Sequence, residues 1–287
     1  MTPVTFAETA IAPQRHAEQT DLPPCPAIVT RLMAEASREE PDFPRMGELL
    51  SADPALAAAL MQTVNSPFYS LVVKANSVQQ ALLFLGLRSS VRLVTGLALA
   101  QAFPSSEGEI AGRIWDSAAR FAPMMGYLAQ ELGGVDRDEA YTYGLFRDCG
   151  QLMLLKRHGH AYAELVDEQD WPHSLTLIAS EVAQFHADHA HVGEKLAAGW
   201  YLPSAICQAV RYHHDGRAFA GQLPDMEREA RTLVALGFLA DRLVAPEADP
   251  VVRVVWQRWQ PALFATLGLG ESDLDRLADG ARAAGAL

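Results

Sequence analysis

The chain has 287 residues, of which 49% are hydrophobic, so it can bury a substantial core without help from disulfides. Its 23 Lys and Arg against 35 Asp and Glu give a formal net charge of −12, which disfavours binding to nucleic acid and to anionic membrane surfaces. The three cysteines, Cys25, Cys149 and Cys207, form no CxxC pair. Neither a disulfide framework nor a cysteine zinc site is predicted, and a cytoplasmic location fits best.

Residues 1–20 carry charges and prolines and no apolar run of signal-peptide length, so we expect a poorly ordered leader rather than a secretory signal. Arg88, Arg92 and Gln101 interrupt the longest apolar stretch. No window therefore reaches the ~18 consecutive apolar residues of a membrane helix.

Alanine is enriched and alternating β-branched segments are nearly absent, so the predicted fold class is all-α. Asp53 before Pro54 and Ser77 before an apolar run are typical helix N-caps. Gly86 separates two short apolar helices, and the turn-rich segment 104–108 is the predicted boundary between two lobes.

Beyond this boundary, apolar residues advance by three or four from Ile114 to Leu132 and again from Tyr141 to Leu155, with a hinge at Gly133 and Gly134. Further helical runs are predicted at about 176–200, 203–214, 224–244 and 250–267. The last helix is expected to begin at Ser272, because Ser272 and Asp275 have the spacing of a capping box.

Asp148 lies in the helical register of the second run, and a buried carboxylate needs a partner. Candidate partners are His189, His213 and His214, and one carboxylate with two or three imidazoles can bind zinc, manganese or iron. The simpler interpretation is structural, with Asp148 satisfied by a helix cap, an arginine or water. The alternative is that Asp188 caps a new helix at His189, which removes the register argument for that histidine.

Arg88 and Arg92, one helical turn apart, are candidates to hold a phosphate or a partner's carboxylate, although a solvated helix face is the simpler interpretation. No nucleophile elbow, Walker loop or GxGxxG motif is present. Trp256 and Trp259 are expected to pack on the second lobe, and their exposure would instead mark a dimer or partner surface.

Several ordered sequence blocks resemble the HDOD domain. They are LPP (22–24), SADPAL (51–56), VNSPFY (64–69), ALLFLGLR (81–88), WDS (115–117), GLFRDCG (144–150), HAHVG (189–193), WYLP (200–203) and HH (213–214). The resemblance implies a two-lobed helical domain. Its expected parts are a leader at 1–20, an N-terminal lobe at 21–105, an HD-like lobe at 106–215 and a C-terminal helical extension at 216–287 packed on that lobe.

The family resembles a degenerate branch of the HD-type metal phosphohydrolases, in which a first His, a His-Asp doublet and later His or Asp residues hold metal. This chain has Asp116 where the first His is expected and Arg147 where the doublet His is expected. A guanidinium cannot ligate a metal, and its charge opposes one. Arg147 is instead expected to pair with Asp148 or another carboxylate.

The resemblance thus implies a vestigial pocket with no catalytic residue, no cofactor and no metal, formed by Asp116, Arg147, Asp148, His189, His213 and His214. Any metal there would be held by Asp148, His189, His213 and His214. The implied function is a non-enzymatic bacterial signalling module that binds signalling proteins of two-component or cyclic-di-GMP type, and a homodimer is allowed. The alternatives are a metal-dependent phosphohydrolase and a nucleotide sensor in which Arg147 contacts phosphate.

Overall fold

The computed structural model describes residues 22–69, 71–104, 108–168, 177–244 and 250–287. Over these residues the chain is built from helices and contains no β-strand, which confirms the all-α prediction. The predicted leader at 1–20 lies outside the described residues. Residues 105–107 of the predicted boundary at 104–108 also lie outside them.

The first lobe contains the helices that precede residue 104. They are α1 (Ala27–Ala36), α2 (Phe43–Ser51), α3 (Pro54–Val64), α4 (Val78–Leu85) and α5 (Leu87–Ala102), with a 3-10 turn at Pro67–Tyr69. The side chains of Asp53 and Ser77 cap α3 and α4 as expected. Apolar residues of α1 to α5, among them Leu56, Leu60 and Leu82, form a core of their own.

The second lobe follows with α6 (Glu109–Leu132), α7 (Arg137–Phe146), α8 (Cys149–His158), α9 (His160–Glu168), α10 (Leu177–Phe185), α11 (His189–Gly199) and α12 (Ser204–Tyr212). The C-terminal helices are α13 (Arg228–Val244), α14 (Pro250–Leu267) and α15 (Glu271–Ala283). Because α13 packs against α6, α7 and α12, these helices share one core with the second lobe.

Polar contacts join the first lobe to the second. Arg92 on α5 donates to the Asp136 carboxylate at 2.7 Å, and Asp136 also caps the N-terminus of α7. Tyr69 donates from its hydroxyl to Asp138 at 3.4 Å, under the Arg137 guanidinium. Arg92 is therefore paired with carboxylates of its own chain, since its Nη2 also lies 3.9 Å from Glu139 Oε2.

Two details of the helix predictions are corrected and one alternative is confirmed. The run from Tyr141 to Leu155 is broken at Arg147 and Asp148, so it forms α7 and α8 instead of one helix. The run at 176–200 is divided after Phe185, and the Asp188 side chain accepts from the His191 N–H, which confirms the alternative that Asp188 caps a new helix at His189. The last helix begins at Glu271, because Asp273, not Asp275, accepts from the N–H of the capping residue Gly270.

The two tryptophans of α14 are half-buried and pack on aromatic neighbours. Trp259 lies edge-on to Phe219, and Trp256 lies edge-on to Phe264. Both belong to the fringe of the second core. The Phe219 ring lies outside α14, so Trp259 packs α14 against the second lobe, whereas Phe264 lies on the same helix as Trp256.

Taken singly, no described helix has the length and apolarity needed to cross a membrane. Only α4 and α5 together reach that length, and they meet at a bend of 119°. Gly86 lies at this bend with φ +76, a conformation that favours glycine.

Candidate metal centre

Asp148 lies in the break between α7 and α8, where the chain leaves helical geometry. Its side chain does not cap α8, so the carboxylate is available to other groups. Gln151, one turn into α8, donates its amide to Asp148 Oδ1 at 3.0 Å. The carboxylate is therefore not used by the backbone N–H groups of α8 and accepts from the Gln151 side chain instead.

Two glycines bring α8 against α11. A Cβ at Gly150 would overlap the carbonyl oxygen of His189, and one at Gly193 would press on the Sγ of Cys149 at 3.3 Å. Only the absence of these side chains lets the two backbones pass so closely. The crossing places Asp148, at the start of α8, beside His189, at the start of α11.

His189 is completely buried and is held by Glu181 of α10, which is also completely buried. The His189 backbone N–H donates to Glu181 Oε2 at 2.9 Å, and ring atom Nδ1 lies 2.8 Å from the same oxygen. The Tyr162 hydroxyl donates to Glu181 Oε1 at 2.7 Å. With Nδ1 held by the carboxylate, Nε2 faces the interior of the site.

His213 and His214 follow the C-terminus of α12. His213 Nδ1 lies 2.7 Å from the carbonyl oxygen of Val210, a pure acceptor, so this nitrogen carries the hydrogen. Its Nε2 is therefore left with a free lone pair when the ring is neutral. His213 is buried and His214 is half-buried.

The four side chains converge on one point. His189 Nε2 lies 3.3 Å from His213 Nε2 and 3.0 Å from His214 Nε2. Asp148 Oδ1 lies 3.6 Å from His213 Nε2 and 3.8 Å from His189 Nε2. All four ligand atoms fall within 4.8 Å of one another. We call Asp148, His189, His213 and His214 the ligand cluster.

Burial and neighbouring charges set the protonation of the ligand cluster. Burial lowers the pKa of His213, and burial together with the adjacent His213 holds the pKa of His214 well below its usual value. Although burial opposes ionisation of Asp148, the neighbouring His213 and Arg147 hold its pKa well below the usual value. Two neutral imidazoles and a carboxylate are the protonation states that a metal ion requires.

The pKa of His189 moves the other way. Burial lowers it, but the Glu181 carboxylate outweighs burial and the pKa is raised. A metal ion at the cluster would displace the proton at Nε2 and leave the Nδ1 contact with Glu181 in place.

Arg147 is directed away from the imidazoles. Its Nη1 and Nη2 donate to the two carboxylate oxygens of Asp241 on α13 at 2.6 and 2.7 Å, and its guanidinium lies 4.2 Å from the centre of the Phe121 ring. Only Nε approaches Asp148, at 4.0 Å from Oδ2. The expectation that Arg147 pairs with a carboxylate is met by Asp241, which offsets part of the guanidinium charge beside the site.

The ligand cluster fits a divalent transition-metal ion. Three imidazole nitrogens and one carboxylate oxygen form a donor set used for zinc, manganese and iron, and two of the imidazoles have their outer nitrogens fixed by hydrogen-bond acceptors. Such an ion would supply a Lewis acid and a link between α8, α11 and the end of α12. These are the four residues that the sequence analysis named as the holders of any metal in the pocket, and whether they bind one stays a prediction.

The remaining candidate residues lie elsewhere. Asp116 is exposed on α6, because the buried face of that helix runs through Ile114 and Phe121, and it is not part of the ligand cluster. Arg88 is exposed in the first turn of α5, and Arg92 is paired with Asp136. The expectation that Asp116 belongs to the pocket is therefore wrong.

Sequence reasoning missed several residues of the centre, among them Glu181 and Asp241. Glu181 carried a usable signal, because it is an acidic residue on the apolar face that contains Ile178, Val182 and Phe185. Asp241 carried none, since it is 94 positions from Arg147 and no sequence pattern connects the two.

The HDOD domain model matches residues 22–216. The fold resembles an HDOD domain protein of unknown function from Geobacter sulfurreducens, with a TM-score of 0.66 and 24% identity over 92% of this chain and 89% of that one. It also resembles a Shewanella amazonensis SB2B protein named as a proposed metal-dependent phosphohydrolase. That comparison gives a TM-score of 0.60 and 20% identity over 90% of this chain and 91% of that one. At these identities the likeness shows a shared fold.

A relative from Treponema pallidum (strain Nichols), described as an uncharacterized protein, is 25% identical over 224 residues. The match covers 75% of this chain and 40% of the relative, so the chain spans less than half of that relative's length. Fold and family match together define an all-helical HDOD module. The chain belongs to the HDOD domain family.

Proposed function

We propose that this chain is a regulatory HDOD module that binds one divalent transition-metal ion at Asp148, His189, His213 and His214 and acts on protein partners. The observation that carries the proposal is the convergence of the ligand cluster, with all four ligand atoms within 4.8 Å. Three imidazole nitrogens this close repel each other's lone pairs or must share protons, and a metal ion removes both penalties.

The charges of these buried and partly buried groups support a single divalent ion. The Asp148, Asp241 and Glu181 carboxylates surround the site, and Arg147 supplies one fixed positive charge. One divalent ion would make these charges balance when the imidazoles are neutral. Uncompensated buried charge is strongly unfavourable, so the balance favours binding.

A regulatory role is supported by where the ligands lie. They come from the start of α8, the start of α11 and the segment after α12, so a bound ion would fasten three chain segments together. Loading would thereby stabilise one arrangement of the second lobe, and a partner that binds this arrangement would sense the metal. The expected partners are signalling proteins of two-component or cyclic-di-GMP type.

The test is metal content and affinity. Tag-free protein purified without chelators is analysed for metals, then stripped and titrated with Zn²⁺. We expect about one ion per chain, and a loss of affinity of at least about 10-fold in His214→Gln, which removes one ligand at a half-buried position. His191→Gln changes a histidine of α11 outside the cluster and should bind as the parent protein does.

Circular dichroism and thermal unfolding establish that both variants are folded. A parent protein that takes up no Zn²⁺, or that binds it equally well after His214→Gln, would contradict the proposal.

A metal-dependent phosphohydrolase is the second candidate, favoured by one observation. The Asp148 side chain is 21% exposed, so solvent reaches the edge of the ligand cluster. Hydrolysis of bis-p-nitrophenyl phosphate by the loaded chain, lost in His214→Gln and retained in His191→Gln, would replace the non-enzymatic proposal. We expect no hydrolysis above the level of the stripped protein.

A further inference from the structure

A cavity lies where the C-terminal helices meet the end of α6. Its volume is about 360 Å³, and it is enclosed by residues 132–134 after α6, by Phe219, by the first turns of α13 and by the end of α14. This volume is in the range of small-molecule sites. None of its lining residues belongs to the ligand cluster, so the cavity is separate from the candidate metal centre.

The walls of the cavity are held together by a tight turn and a hydrogen bond. Gly133 and Gly134 turn the chain after α6 with φ +73 and φ +85, values that favour glycine. A Cβ at Gly134 would come within 3.2 Å of the Thr232 methyl group on α13. The Thr266 hydroxyl on α14 donates to the Phe219 carbonyl oxygen at 3.0 Å. The turn, α13 and α14 are thus fixed around the cavity.

Arg231, which lines the cavity, is held by neutral groups only. Its Nη2 donates to the carbonyl oxygens of Leu223 and Pro224 at 3.0 and 3.1 Å, and its Nε is buried without a hydrogen-bond partner among the described residues. The two carbonyl groups fix the guanidinium but do not neutralise its charge. An anion in the cavity would offset this charge where solvent screens it incompletely.

Arg228 brings a second positive charge to the same cavity. It precedes Arg231 by three positions on α13, so the two side chains lie on one face of the helix. Neither arginine has an ion pair among the described residues, although Glu227 and Glu229 adjoin Arg228 in the sequence. Glu227 instead accepts from the Gln208 amide at 3.1 Å. With 35 acidic residues in the chain, the missing ion pairs do not reflect a shortage of carboxylates.

The cavity combines these charges with apolar surface from Leu132, Phe219 and Leu267. Two guanidinium groups match the double negative charge of a phosphate monoester and can donate to its oxygens, whereas a single carboxylate would neutralise only one of them. We propose that the cavity binds a small organic phosphate. Arg228 and Arg231 hold the phosphate, and the apolar wall packs against the organic group.

A ligand at this position acts on the C-terminal helices. The cavity joins α6 of the second lobe to α13 and α14, which follow the residues 22–216 matched by the family model. A ligand that contacts all three helices stabilises their packing, so it raises the unfolding temperature of the full chain. This inference does not depend on whether the chain binds a metal ion.

The test is calorimetric titration of the metal-stripped full chain with phenyl phosphate in metal-free buffer. We expect one site per chain and binding at least about 10-fold tighter than that of inorganic phosphate, which lacks the apolar group. Arg228→Gln removes a charged donor at an exposed position and should weaken binding by about 10-fold. Arg253→Gln makes the same change of charge on an exposed residue of α14 outside the cavity and should bind as the parent protein does.

Circular dichroism establishes that the variants are folded. A parent protein that does not bind phenyl phosphate, or that binds it equally well after Arg228→Gln, would overturn the inference. Binding that is lost in His214→Gln would also overturn it, because the phosphate would then lie at the ligand cluster. Succinate that binds as tightly as phenyl phosphate would assign the cavity to dicarboxylates instead. A chain that takes up no Zn²⁺ but binds phenyl phosphate would contradict the proposed function alone.

Discussion

His189 is the residue on which the centre depends most, because its backbone and its ring are fixed by the same carboxylate. Glu181 accepts from the His189 N–H at 2.9 Å and contacts Nδ1 at 2.8 Å, with the Tyr162 hydroxyl as a further donor. A fully buried carboxylate is stable only when its oxygens are hydrogen-bonded, and Glu181 meets this condition. The negative charge of Glu181 makes His189 Nε2 a stronger ligand for a metal ion.

Glu181→Gln tests this arrangement at the scale of one residue. The amide can still accept from Nδ1, but it carries no charge, so we expect the dissociation constant for Zn²⁺ to rise by about 10- to 100-fold. The measurement is competition with a chromophoric chelator. Tyr162→Phe removes one hydrogen bond and keeps the charge, so its effect should be smaller. Equal affinities for Glu181→Gln and the parent protein would show that the carboxylate does not act on the metal.

The sequence proposed the four members of the ligand cluster as partners, and the structure brings them together. The reason given for Asp148, its register in a continuous helix, was nevertheless wrong, because the helix is broken at that residue. The two-sided environment of Arg147 could not be predicted from sequence. It depends on Asp241, which reaches the site only through the packing of α13.

At the scale of helices, the ligands share one feature: all of them lie at helix ends. Asp148 precedes α8, His189 begins α11, and His213 and His214 follow α12. Apolar periodicity identifies the buried face of a helix but gives little information about where a helix breaks when both sides of the break are apolar. The helical class was therefore predictable, whereas the divisions of 141–155 and 176–200 were not reliably so.

The close crossing of α8 and α11 leads to a prediction for Gly150→Ala. The new Cβ would overlap the His189 carbonyl oxygen, so the two helices must separate and carry Asp148 away from His189. We expect about 2 kcal/mol of lost stability in chemical unfolding, accompanied by weaker Zn²⁺ binding. Gly112→Ala is the matched control, because a Cβ there meets nothing within 4 Å, and it should be stabilising by about 0.5 kcal/mol. Similar results for the two variants would contradict the account of this crossing.

At the scale of the whole molecule, the centre belongs to the second lobe and its C-terminal helices. The first lobe has its own hydrophobic core, formed by α1 to α5, and contributes no member of the ligand cluster. The family match ends at residue 216, yet Asp241 lies beyond it on α13. The C-terminal helices thus provide the carboxylate that neutralises Arg147. The division at 105 and 215 stays a prediction.

The most direct test of the metal centre is X-ray absorption spectroscopy of the full chain carrying one equivalent of Zn²⁺. The account predicts a first shell of nitrogen and oxygen only, with scattering from three imidazole rings that is reduced in His214→Gln and unchanged in His191→Gln. A shell that contains sulfur, or one without imidazole scattering, would place the ion elsewhere and contradict the account.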